Sequence, residues 1–83
     1  MRYRDLSYLI GEEVEMMMPA HDKDFNFEPD RIVVENEYPK TLLIRKYYRG
    51  TSYLRMVTKA AMYCADVQIR HGIKLLTGKE VLR

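Results

Sequence analysis

A chain of 83 residues makes one domain spanning residues 1–83, and a domain this short buries a small core unless something else stabilises it. Cys64 is the only cysteine, which excludes an intrachain disulfide and fits a reducing compartment. The net charge of +2 hides an asymmetry: residues 1–39 carry ten acids and four bases, a balance of −6, whereas residues 40–83 carry ten bases and two acids, a balance of +8. Such a split points either to an anion or nucleic-acid site in the basic half or to pairing of the two halves.

Asp5 to Met18 reads as an amphipathic helix, with Leu6, Leu9, Ile10, Val14, Met17 and Met18 at i, i+3, i+4 spacings and Glu12, Glu13 and Glu15 on the other side. Gly11 weakens that pattern and Pro19 ends it. The following stretch, Ala20 to Asp30, reads as an acidic loop. Within it, Asp22-x-Asp24-x-Asn26 matches the opening of a calcium-binding loop. The glycine needed at the sixth position is Phe27, however, and the acid needed at the twelfth is Val33.

Arg31 to Glu37 reads as a strand, broken by Tyr38-Pro39. Two further β-prone runs, Thr41 to Tyr48 and Ser52 to Val57, flank Arg49-Gly50, where the glycine supplies the positive φ of a tight hairpin turn. The result is an antiparallel meander, whose middle strand has apolar residues on both faces (Leu42 and Ile44; Leu43 and Tyr47), as for a strand covered on both sides. Leu43 and Ile44 are both expected in the core. The C-terminal third has two readings. Thr58 can cap a helix from Lys59 to His71 closed by Gly72; alternatively a short helix near residues 58–65 gives way to alternating Asp66-Val-Gln-Ile-Arg70 and a second hairpin at His71-Gly72. The second is favoured. The fold class is therefore α+β: an N-terminal helix packed on a three- to five-stranded, mostly antiparallel sheet.

The residues point away from catalysis. His21, Cys64 and His71 lack the closely spaced pairs of a zinc site, and Cys64 with His71 lacks an orienting third group. Gly11, Gly50, Gly72 and Gly78 are too scattered for a phosphate loop. No cofactor or metal is expected. No run approaches the ~18 apolar residues of a membrane helix, and the acids after Asp5 interrupt any signal-peptide core. A soluble, cytoplasmic protein is expected.

What remains is the hairpin. Lys46, Arg49 and Arg55 are cationic, Tyr48 and Tyr53 can stack on a base, and Thr51 and Ser52 can donate to phosphate oxygens. These seven residues are the candidate ligand-binding set of a non-enzymatic module that captures a nucleotide or nucleic acid. The alternative is a protein-binding inhibitor or adaptor, of the kind small phage and mobile-element proteins often are, acting through the acidic helix and loop. A homo-oligomer, with a dimer as the first expectation, would compensate for the small core.

Overall fold

The computed structural model describes residues 2–18 and 30–83. Its framework is a six-stranded sheet: β1 (Glu13–Met17), β2 (Asp30–Glu37), β3 (Thr41–Tyr48), β4 (Thr51–Thr58), β5 (Gln68–His71) and β6 (Lys74–Leu76), in the spatial order β4-β3-β2-β1-β5-β6. Every neighbouring pair is antiparallel. One short helix, α1 (Lys59–Tyr63), and two 3-10 turns, Ser7–Leu9 and Gly78–Val81, complete the described residues.

The expected N-terminal helix is absent, and the helix-on-sheet architecture built on it is corrected to a sheet with small caps. Leu6 and Leu9 are buried three residues apart in a 3-10 turn. The chain then turns at Gly11 (φ +83°), a conformation glycine adopts readily. From Glu13 the buried residues recur at spacing two, Val14 and Met16, while Ile10 lies exposed and Met17 turns to the other face. Backbone bonds from Gly11 N–H to the Val34 carbonyl and from Val34 N–H to the Glu12 carbonyl lock this turn to β2. Tertiary pairing on both edges of β1 thus overrides a local helical spacing.

One sheet face carries the core. Val14, Met16, Ile32, Val34, Leu42, Ile44, Val57, Ile69 and Leu76 point toward it, and Leu6, Leu9, Met62 and Val81 close it from the caps. The opposite face stays open, because its residues are half-buried or exposed. Leu43 is half-buried and Tyr47 is 60% exposed, so β3 is covered on one side only, contrary to the two-sided expectation. Arg31–Glu13, Arg45–Glu35 and Arg70–Glu15 pair across strands on that open face. With Lys46–Asp30 and Lys59–Glu37 these make five pairs, of which four join an acid of the first half to a base of the second inside one chain, while Arg31–Glu13 lies within the first half.

After β4 the chain follows the short-helix alternative. The Thr58 hydroxyl accepts a bond from Ala61 N–H at 3.1 Å and caps α1. The end is a Schellman closure, Ala65 N–H to the Met62 carbonyl and Asp66 N–H to the Ala61 carbonyl, with Ala65 at φ +63° where glycine is usual. Gly72 is a turn residue between β5 and β6, not a helix cap. Cys64 is a free, exposed thiol. The final residues are tied to the body of the fold: Val81 is fully buried and Leu82 bridges to Tyr3.

A β-bulge between Val34 and Asn36 sets the most buried polar contact. Before it, even-numbered residues of β2 face the core; after it, Glu37 lies opposite core-facing Leu42 and so turns inward. There its Oε2 accepts from Lys59 Nζ at 2.6 Å and from Leu6 N–H at 2.6 Å, while Lys59 also donates to the Arg4 carbonyl at 2.9 Å. Lys59 is 1% exposed and, among the described residues, is the one charged side chain buried with the apolar core. No helix among the described residues is long and apolar enough to cross a membrane.

Candidate anion-binding surface of the hairpin

β3 and β4 pair without interruption from Thr41 opposite Thr58 to Tyr48 opposite Thr51. The connecting residues, Arg49 (φ +50°) and Gly50 (φ +78°), both take the left-handed conformation, as a two-residue primed hairpin turn requires. Pairing register then decides which candidate residues meet. Lys46 lies opposite Tyr53, Tyr48 opposite Thr51, and Arg55 opposite Ile44. Because Ile44 faces the core, Lys46, Tyr48, Thr51, Tyr53 and Arg55 share the core-side face. The caps cover that face only as far as Ile44 and Val57; toward the turn it is open, with Tyr48 54% and Tyr53 47% exposed.

The other two candidates sit differently. Arg49 occupies the turn, its guanidinium 5.1 Å from the centre of the Tyr48 ring. Ser52 belongs to the opposite face, where its hydroxyl accepts from Arg45 Nη1 at 2.9 Å. Arg45 in turn donates to Glu35 at 2.7 Å. Six of the seven candidates therefore lie on or beside one surface, and Ser52 is separated from them.

Their electrostatics are uneven. Lys46 Nζ donates to Asp30 Oδ2 at 2.7 Å, so its charge is already balanced. That hydrogen bond, assisted by the Asp30 charge, holds the Lys46 ammonium above the usual lysine range against the opposing effect of burial. A raised lysine pKa stabilises the fold fully below the unfolded value of about 10.4 and ceases to do so as pH rises through the folded value. Alkaline denaturation should therefore cost the wild type more stability than Lys46→Met above pH ~10.4, measured as the difference in urea midpoints. Arg49 and Arg55 make no ion pair among the described residues, and Arg55 Nη1 donates to the Met18 sulfur at 3.8 Å.

A second cationic feature escaped the sequence reading. At the other end of the hairpin a cleft of about 810 Å³ is lined by Arg2, Arg4, Lys40 and Arg83 together with Tyr3, Asp5, Pro39 and the Lys59–Glu37 pair. Antiparallel pairing of Tyr3 with Leu82 brings these distant positions together, and no local pattern announces it. Among the described residues no cluster of three His, Cys, Asp or Glu side chains could hold a metal. His21 and the Asp22, Asp24 and Asn26 motif lie outside the described residues. Comparison with known protein families, curated proteins and solved structures finds no match.

Proposed function

We propose that this protein is a non-enzymatic, cytoplasmic binding module that captures single-stranded nucleic acid on the core-side face of the β3–β4 hairpin. One observation carries the reading: Tyr48, Tyr53 and Arg55 are side by side on an open sheet surface, with Arg49 against Tyr48 at its tip. Exposed aromatic rings on a sheet stack on unpaired bases, and arginines beside them bind phosphates through charge-assisted hydrogen bonds. Residues 47–51 are all exposed, which suits a strand laid across the surface better than a small nucleotide, whose binding calls for a concave pocket. The inhibitor alternative loses its helix, and its acids Glu13 and Glu15 are paired with Arg31 and Arg70; its acidic loop lies outside the described residues.

The test is fluorescence anisotropy with labelled single-stranded RNA and DNA oligonucleotides over a salt series. With Arg49 and Arg55 as the main phosphate contacts, log K should fall against log[salt] with a slope of about −1.4, at ~0.7 per phosphate neutralised. Reversing both charges, Arg49→Glu with Arg55→Glu, should abolish binding, and Tyr48→Ala should cost about 1–3 kcal/mol. Failure of the wild type to bind any oligonucleotide overturns the reading. Equal binding by wild type and the double variant moves the site to the Arg2–Lys40–Arg83 cleft.

A further inference from the structure

The two edges of the sheet are built differently. β6 is three residues long and carries Lys74, two ordinary protections against edge-to-edge pairing. β4, the other edge, runs for eight residues with no proline, lysine or bulge. It leaves Tyr53, Leu54 and Met56 about half exposed. We infer that β4 is a dimerisation edge, which pairs antiparallel with β4 of a second copy about a two-fold axis at Leu54.

Backbone alternation fixes which groups are available. The turn bond of a two-residue hairpin makes Tyr48 and Thr51 a hydrogen-bonded pair, and the Lys59 N–H to Lys40 carbonyl bond at 2.9 Å keeps the same alternation at the far end. Odd-numbered residues of β4 therefore bond to β3. Ser52, Leu54 and Met56 direct their N–H and carbonyl groups outward.

Side chains then select the register. With Leu54 opposite Leu54 of the partner subunit, Ser52 faces Met56 of the partner subunit and Met56 faces Ser52 of the partner subunit. These three pairs exchange about six hydrogen bonds. Arg55 then lies opposite Tyr53 of the partner subunit, where guanidinium and ring attract. A slip of the axis to Arg55 sets two guanidiniums face to face. A slip to Tyr53 shortens the pairing and leaves Arg55 opposite Thr51. The strand is thus complementary to itself in one register, the requirement of a two-fold interface. A strand with a single charge facing a ring at this position has less reason to prefer an unrelated peptide. Tyr53 and Arg55 also belong to the proposed nucleic-acid surface, but the pairing itself is carried by the outward backbone of β4 with Leu54 and Met56, so substitutions at Leu54 and Met56 test it separately from that reading.

Sedimentation velocity of the full chain across the micromolar range should give twice the chain mass. Leu54→Lys with Met56→Lys should give the monomer with unchanged circular dichroism. In a Cys64→Ser background, Leu54→Cys should cross-link through a short bis-maleimide, and Ile73→Cys, at the turn beside the opposite edge, should not. A monomeric wild type, an undiminished dimer in the lysine variant, or cross-linking at Ile73 matching that at Leu54 overturns the inference. If the lysine variant fails to fold, the cross-linking pair decides.

Discussion

Removing either member of the Lys59–Glu37 pair should destabilise the protein by about 3–5 kcal/mol, because each leaves the other's charge buried without its partner. Domains of this kind are stable by only about 5–15 kcal/mol, so the loss threatens folding itself. The size follows from the geometry. Lys59 is 1% exposed and has two acceptors, the Glu37 carboxylate and the Arg4 carbonyl. Glu37 also holds the amide of Leu6, so Glu37→Ala releases the N-terminal arm as well as the ammonium. Replacing both, Lys59→Met with Glu37→Leu, removes the charges together. It should recover most of the loss, since a buried ion pair seldom outperforms well-packed apolar residues of similar volume. Urea denaturation of the two alanine variants and the double variant gives the comparison. Alanine costs below about 1 kcal/mol, the range of exposed pairs, would mean that the contact is effectively solvated.

The second large effect separates the two sheet faces. Ile44 is fully buried, and Ile44→Ala should cost about 2–5 kcal/mol. Its neighbour Leu43 lies half-buried on the open face between Arg45 and Met56 positions, and Leu43→Ala should cost about 1 kcal/mol or less. The ratio matters more than either number, because the residues are adjacent and chemically alike. Equal losses, measured by chemical denaturation, would mean that the open face is covered in solution.

The meander was legible because its signals are local. Arg49-Gly50 marks the turn, β-branched and aromatic residues fill the flanking runs, and the Thr58 cap starts α1. The helical spacing over β1 is an equally local signal. Leu6, Leu9, Ile10, Val14, Met17 and Met18 satisfy a helical spacing, although Glu13-Val-Glu-Met also alternates with period two. What decides between the two is the pairing of Glu13–Met16 with β2 and Glu15–Met17 with β5, which no window around β1 contains. The hairpin candidates were found as residues, but their shared face depended on register. Glu37 and Lys59 were invisible as a pair: they stand 22 positions apart, and only the bulge at Val34–Asn36 turns Glu37 inward. The cationic cleft needed the joining of the two chain ends at Tyr3 and Leu82.

The position of β1 in the middle of the sheet governs the order in which the fold can be completed. β2, β3 and β4 are sequence neighbours, and closing their turns costs little chain entropy. β1 gains its second neighbour only when β5 arrives, and Glu15 and Arg70 meet across 55 positions. Non-local pairings of this length are slow steps in folding. Until that step, one side of Glu15, Met16 and Met17 is an unpaired edge near the centre of the future sheet. The β5–β6 hairpin is therefore a late-arriving cover as well as a pair of strands. The Arg70–Glu15 pair across this junction favours the intended partner over a stray β-strand at the moment when the edge is most vulnerable to one.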